Sequence, residues 1–499
     1  MRHSFCLGFY SFSSYSLYLP GRGAKKGSEL VVAKPILDAT LVHFCKALMG
    51  PLMQFQYIMA PFPNSNTLCY DPYFLCSEIL HFRFSTMNIA FRLLRGSRRA
   101  RYGVLFLATA LILEILMHVH SYRVDMPLKP LDEPFARQCS VSGFSNSGGA
   151  LELLDNAVAP YDVSEPRENA TIVVLARNSD LNDTVTAIES LEKQWNQWYH
   201  YPITFLNDKP WEPAFKDAIR KVTKSQLNFV QIPSEMWSWP EENGVETPSR
   251  EEAEAQWKAM KKQRVPYVGV ESYHHMCRFY SGFFYDHPAL ASYKYYWRVE
   301  PEIQFTCRIP YDPFSLMRTS GKVYGYTIAL WEIGSTCPTL FRTTADFKEK
   351  NSIPTTSLWT SMMDASWAPI PIRQLIMSIQ TFFHSRTRHG DSWNFCHFWS
   401  NFEVADMDFF RSEQYRSYFA ALDRTGGFYT ERWGDAPVHS LALAMFAKPE
   451  QVHYFEDIGY VHPPFQNCPP EGVGCGCECS ETAITVDGEC LDKLRAGVK

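Results

Sequence analysis

Between residues 170 and 233 the spacing of hydrophobic positions alternates between two periods. ATIVVLAR (170–177) is an unbroken β-branched and apolar run, which predicts a strand covered on both faces. From Asn182 to Trp198 the apolar positions Val185, Ile188, Leu191 and Trp195 recur at three- and four-residue steps. That spacing predicts a helix, with Ser179, Asp180 or Asn182 available as its cap. PITFLND (202–208) predicts a second strand, 213–224 a second helix and LNFVQIP (227–233) a third strand. The order β-α-β-α-β predicts an α/β fold with a parallel, Rossmann-type sheet, whose ligands bind beyond the carboxyl ends of the strands. The sequence holds no G-x-G-x-x-G, which disfavours a dinucleotide oxidoreductase and leaves open a nucleotide-binding sheet without a glycine loop.

Upstream, Arg92, Arg95, Arg98, Arg99 and Arg101 precede an apolar run from Tyr102 to Met117 that contains Glu114. Extended through Val119 and His120, the run over 102–120 predicts a signal-anchor helix. The basic side stays cytoplasmic and residues 87–101 form a short tail, so the expected topology is type II with the C-terminal part lumenal. A cleaved signal peptide is the alternative, but no small-residue cleavage site follows cleanly. Residues 1–86, irregular and aromatic-rich with four Cys, make a poor cytoplasmic tail, and Met87 is the expected start of translation. Residues 121–168, with Pro127, Pro130, Pro134, Pro160, Pro166 and a Ser/Gly-rich patch, are expected to be a stem.

All thirteen Trp fall between Trp195 and Trp433, which places the folded domain at 169–470, ahead of a Cys-rich tail at 471–499. A net charge of −5 and the lack of a basic face argue against a nucleic-acid binder. Ten Cys lie beyond the anchor, and an oxidising lumen favours disulfides whose connectivity stays open. The cluster Cys475, Cys477, Cys479 lacks the His partner spacing of a zinc site. Asn169-Ala-Thr171 and Asn182-Asp-Thr184 are N-glycosylation sequons that a lumenal location would expose to modification.

The aromatic strand YKYYWRVEPEIQF (293–305) runs directly into Glu300-Pro301-Glu302. In isolation such a turn is a solvated acidic loop. At the carboxyl end of a nucleotide-binding sheet, it is where a sugar-nucleotide transferase needs an acid to hold a divalent cation against a diphosphate.

Several long motifs decide between these readings: ESYHHMCRFYSGFFYDHP (271–288), YYWRVEPEIQF (295–305), NFCHFWSNFEVAD (394–406), GGFYTERWGDAPVHSLA (426–442) and FEDIGYVHPPFQNCP (455–469). In this order they resemble the fungal GDP-mannose-dependent α-1,2-mannosyltransferases, glycosyltransferase family 15, over about residues 168–469. The stretch 348–393 resembles one branch of that family.

The resemblance implies a GT-A-like fold, a Rossmann-type nucleotide-binding sheet with a mixed α/β acceptor half. It implies retaining transfer of mannose from GDP-mannose to mannose-terminated N- or O-linked glycans of glycoproteins, with Mn²⁺ as cofactor, by an enzyme anchored in the Golgi membrane. Glu300 and His462 match the family's metal ligands, and oxygen plus imidazole donors suit Mn²⁺. Glu302 stands at a third position that varies in the family and is not taken as a ligand.

Glu403 matches the candidate nucleophile or charge stabiliser beside the anomeric carbon; Asp435 and Tyr273 match positions that touch donor or acceptor hydroxyls. Arg298 and His439 are further candidates at the donor, with Arg298 either meeting the diphosphate or forming a structural ion pair. Retention requires either a covalent glycosyl-enzyme or same-face attack with a carboxylate steadying the oxocarbenium-like centre, and the sequence leaves both open. A lumenal carbohydrate-binding protein without turnover, or a glycoside hydrolase using Glu300 and Glu403, would be the other classes; a lectin needs no metal–diphosphate clamp, and a hydrolase needs no nucleotide.

Overall fold

The computed structural model describes residues 98–121, 163–240, 248–373 and 386–498. The extension over 1–86, most of the expected cytoplasmic tail and nearly all of the stem lie outside the described residues.

Helix α1, Arg98–Ser121, takes in the apolar run, and its segment Tyr102–Ser121 is long and apolar enough to cross a membrane. Glu114, the single carboxylate of that run, is paired with Arg373, and His118 Nε2 lies 2.6 Å from Asp391 Oδ1.

The domain opens as its hydrophobic pattern predicts. Strand β1 (Ala170–Leu175), helix α2 (Leu181–Leu191), strand β2 (Ile203–Asn207), helix α3 (Pro213–Val222) and strand β3 (Leu227–Gln231) follow in order. β1, β2 and β3 pair in parallel. Pro213 starts α3, where a missing N–H costs nothing and the fixed φ suits the helix. The helix expected over 182–198 is interrupted: after Leu191 the backbone widens into a π-helical turn, Glu192–Asn196, that seats Trp195 at 0% exposure. Asp180, offered as a cap, turns its carboxylate onto Arg177 instead and leaves the helix end without a side-chain cap.

Next come helices α4 (Arg250–Lys262) and α5 (Glu271–Gly282), then strands β4 (Tyr295–Arg298) and β5 (Gln304–Phe305). α4 begins with a capping box between Ser249 and Glu252. Strands β6 (Tyr324–Tyr326) and β7 (Ala329–Trp331), helix α6 (Leu340–Lys350), the short strands β8 (Met363–Asp364) and β9 (Ser392–Trp393), and β10 (Cys396–Phe398) follow. The chain ends with β11 (Glu403–Asp406), α7 (Glu413–Asp423), α8 (Asp435–Phe446), β12 (Val452–Tyr454), β13 (Tyr460–His462), β14 (Phe465–Asn467), β15 (Ile484–Thr485) and α9 (Glu489–Gly497).

Seven strands make the central sheet in the order β12-β6-β11-β4-β1-β2-β3. β4 extends the parallel half beside β1, whereas β11 runs antiparallel between β4 and β6. Both faces are covered, which is why β1 reads as continuously apolar: Ile172 and Val174 pack with Trp195 and Phe205 on one side, Val173 with Leu206 and Tyr296 on the other. A smaller sheet, β15-β14-β13-β5, grows from the segment that follows β4.

Residues 471–497, expected as a tail, are built into this domain. β15 pairs with β14, Leu491 and Leu494 of α9 are buried, and the disulfides Cys307–Cys477, Cys396–Cys490 and Cys468–Cys479 tie the segment down. Cys475 is also disulfide-bonded, so the three clustered cysteines form bridges, not a metal site.

Candidate active site

The strand period positions the first part of the site. On β4 side chains alternate between faces, so Tyr295 and Trp297 point one way and Tyr296 and Arg298 the other. β11 lies antiparallel beside it with Glu403 directly opposite Arg298. Four groups converge on the Glu403 carboxylate, which is 0% exposed. Tyr296 OH donates to Oε1 at 2.8 Å, Tyr324 OH donates to Oε2 at 2.9 Å, and His439 Nδ1 lies 3.1 Å from Oε2. Arg298 Nη1 stands 3.9 Å from Oε1. The other ring nitrogen of His439, Nε2, faces the Tyr280 carbonyl at 3.0 Å. A carbonyl only accepts, so Nε2 carries a hydrogen and the ring's orientation is fixed.

Arg298 is the hub. Its Nε donates to Glu300 Oε1 at 2.5 Å, its Nη1 donates to Asp435 Oδ2 at 2.5 Å, and its guanidinium lies 3.5 Å from the centre of the Tyr280 ring. Burial by itself would lower the Arg298 pKa, but Asp435 and Glu300 outweigh it and hold the guanidinium firmly charged. Asp435 shows the converse: burial pushes its pKa up, while Arg298, His439 and Ser400 together hold it below the ordinary carboxylate value. Ser400 Oγ donates to Asp435 Oδ2 at 2.7 Å. Asp435 also opens α8, where unsatisfied backbone N–H groups favour negative charge.

Tyr273 lies on α5, seven residues before Tyr280 and so on the same helix face. Its hydroxyl accepts from Arg432 Nη1 at 2.8 Å, and Arg432 Nη2 reaches Glu332 Oε1 at 3.2 Å. The glycine pair before Arg432 has a steric reason. Gly426 has φ +71°, and a Cβ on Gly427 would fall 2.2 Å from the Trp433 ring.

Glu300 and His462 reach the same end of the sheet by different routes. Glu300 leaves β4 directly. His462 ends β13, whose pairing with β5 sets Val461 against Gln304 and brings His462 level with Ile303. Glu302 between them has φ +63°, so the acidic turn is held in a conformation that side chains rarely adopt. The His462 ring packs edge-on against Trp399, centroids 5.0 Å apart, next to Ser400. Glu300 Oε1 is taken by Arg298; among the described residues Glu300 Oε2 and His462 Nε2 have no hydrogen-bond partner. An uncommitted carboxylate oxygen and an uncommitted imidazole nitrogen fit a divalent metal such as Mn²⁺. Among the described residues no group of three His, Cys, Asp or Glu is placed to hold an ion, so other ligands would have to complete its shell.

Thus Arg298, Glu300, Glu403, Asp435 and His439 form one connected network, Tyr273 shares an α5 face with Tyr280, the ring beneath Arg298, and His462 borders the network through Trp399. Tyr280, Tyr296, Tyr324, Ser400 and Arg432 were not singled out from sequence. The strand alternation that pairs Tyr296 with Arg298, and the helical step from Tyr273 to Tyr280, were the available signals.

The sequence profile of the glycolipid 2-alpha-mannosyltransferase family, glycosyltransferase family 15, matches residues 145–493. The chain belongs to this family. It is a glycosyltransferase, and a mannosyltransferase by family. Among its relatives, O-glycoside alpha-1,2-mannosyltransferase homolog 4 of Schizosaccharomyces pombe is 46% identical over 329 residues, 63% of this chain and 73% of that protein.

Solved family structures share the fold. Core-mannan synthase A (CmsA/Ktr4) from Aspergillus fumigatus, in an Mn/GDP form, superposes with a TM-score of 0.57 at 38% identity, over 68% of this chain and 86% of that one. The mannosyltransferase Ktr4p from S. cerevisiae, in complex with GDP, gives 0.58 at 34% identity over 77% and 95%. The GT-A-like α/β fold expected from the family resemblance is the fold of this chain.

Proposed function

We propose that this mannosyltransferase is a retaining α-1,2 enzyme that moves mannose from GDP-mannose to mannose-terminated N- or O-linked glycans of glycoproteins, with Mn²⁺ bound by Glu300 and His462. The observation that carries the reading is the buried Arg298, which joins Glu300 to Asp435 at the carboxyl end of β4 and faces Glu403. A fixed positive charge between three carboxylates is expensive to bury and is retained where negative charge must be held in register.

In this reading Arg298 orients Glu300 toward the cation and the donor diphosphate. When bound, Mn²⁺ supplies Lewis-acid neutralisation of the charge that develops on the departing GDP. Asp435, kept ionised by Arg298 and pinned by Ser400, meets sugar hydroxyls at the head of α8. Glu403 is fully buried, with Tyr296 on Oε1 and Tyr324 and His439 on Oε2. Its enclosure supports same-face transfer, with Glu403 as a fixed charge near the oxocarbenium-like centre, over a covalent glycosyl-enzyme.

Helix α1, with the basic cluster on its N-terminal side, supports a type II anchor and a lumenal domain in the Golgi. The disulfides support the same oxidising compartment.

Mn²⁺-dependent hydrolysis of GDP-mannose without acceptor tests the reading. The enzyme releases mannose and GDP, and chelation stops it. An inactive carbohydrate-binding relative would bind mannosides and hydrolyse nothing.

A further inference from the structure

Tyr267 is a tyrosine in a place and conformation that the fold gains little from. It lies in the turn between α4 and α5 with φ +58°, a left-handed backbone that aromatic residues rarely adopt. Its ring is also 61% exposed, so burial does not offset that strain. What the conformation achieves is placement. The ring lies parallel to Tyr273, centroids 4.9 Å apart and planes within 10°. Tyr273 in turn has its hydroxyl held by Arg432 and shares an α5 face with Tyr280, whose ring lies 3.5 Å from the Arg298 guanidinium. The two rings form a short aromatic step at the start of α5.

We propose that Tyr267 is an acceptor-binding residue, the platform for the mannose unit that precedes the acceptor sugar receiving the transfer. The proposal rests on the mannosyltransferase reading above and adds a subsite to it. A pyranose presents one face of C–H groups, which packs on the electron-rich face of an aromatic ring while the sugar hydroxyls stay in water. A rigid ring set beside the site by backbone strain provides such a face at little entropic cost on binding. One ring step from Tyr273, Tyr267 meets a second sugar of the acceptor, so a disaccharide gains from it and a monosaccharide does not.

The test uses the full-length enzyme in detergent and compares α-1,2-mannobiose with α-methyl mannoside as acceptors. The variants are Tyr267→Asn, a residue that tolerates positive φ while removing the ring, and Tyr267→Phe, which keeps the ring. The expected result is that Tyr267→Asn lowers the ratio of kcat/KM for mannobiose to that for α-methyl mannoside about three- to ten-fold, the size of one aromatic contact, and that Tyr267→Phe restores it. An unchanged ratio in Tyr267→Asn, or an equal fall for both acceptors, overturns the proposal. Saturation-transfer NMR of mannobiose on the same preparations reads the subsite without turnover. If the wild type transfers nothing from GDP-mannose, the mannosyltransferase reading fails on its own. In that case loss of the mannobiose signal in Tyr267→Asn still supports the platform, and retention of the signal overturns it.

Discussion

Glu403 lies directly across the β4–β11 pair from Arg298, its Oε1 3.9 Å from Arg298 Nη1, and both side chains are shut off from bulk water. At that separation in a low-dielectric interior the two charges are felt strongly, yet the carboxylate is held by Tyr296, Tyr324 and His439 rather than by a direct Arg298 contact. In the proposed mechanism a carboxylate so enclosed acts through its charge.

Glu403→Gln is therefore expected to bind Mn²⁺ and GDP normally and to lose about 100- to 1,000-fold in transfer rate, the usual effect of removing one preorganised electrostatic group. The fold tolerates the amide because its oxygen can still accept from His439 Nδ1 and Tyr324, while the Tyr296 hydroxyl turns to accept from the N–H₂. Turnover, GDP affinity and melting temperature on one preparation check this. Near-normal turnover with a depressed melting temperature would make Glu403 a structural residue.

Arg298→Met is expected to destabilise the domain by roughly 3–5 kcal/mol, because it leaves buried carboxylates without their partner. Arg298→Lys keeps a charge but cannot reach Glu300 and Asp435 together, so it should fold better and still transfer poorly. Urea denaturation alongside kcat separates the two effects; equal stability of Arg298→Met and wild type would contradict the bridge.

On the proposed metal assignment, Glu300→Ala and His462→Ala each remove one of two protein donors to the cation. Each is expected to raise the Mn²⁺ concentration for half-activity by at least about ten-fold, since even outer-shell losses cost that much. Metal titrations that coincide with wild type in both variants would remove the assignment.

Asp457 gives a pH signature away from the chemistry. It is buried, accepts from Tyr311 OH at 3.1 Å, and burial pushes its pKa up to about 6. The folded state thus holds this proton more tightly than the unfolded chain does. The associated stability is present below the unfolded pKa and is lost as pH rises through about 6. Asp457→Asn, neutral at every pH, should be more stable than wild type at pH 7.5, and the difference should shrink toward pH 4. Melting curves across that range check it, and a pH-independent difference would contradict it.

Much of the fold was legible because its signals are local. The change from a continuous apolar run to three- and four-residue spacing marked β1, β2 and the start of α2 to within two residues, and Ile188 and Leu191 marked the face α2 buries. What was not legible is non-local. Nothing near Glu403 announces that β11 inserts antiparallel between β4 and β6, and that insertion sets Glu403 opposite Arg298. The π-helical turn at Glu192–Asn196 keeps the helical spacing of its apolar residues, so the pattern gave no break. Cys475, Cys477 and Cys479 gave no pairing, because neighbours in the sequence find partners at unlike distances, 170 residues away for Cys477 and 11 for Cys479. The site residues came from motif resemblance, which named Glu403, Asp435 and His439 but not the Tyr296, Tyr324 and Ser400 contacts that hold them.

Retaining, Mn²⁺-dependent mannosyl transfer from GDP-mannose is tested by NMR of the product formed from labelled GDP-mannose and α-methyl mannoside, with Mn²⁺ and with chelator. The account predicts a new α-1,2-linked mannose at the anomeric centre, formed only with metal. A β-linked product, or transfer undiminished by chelation, would contradict it.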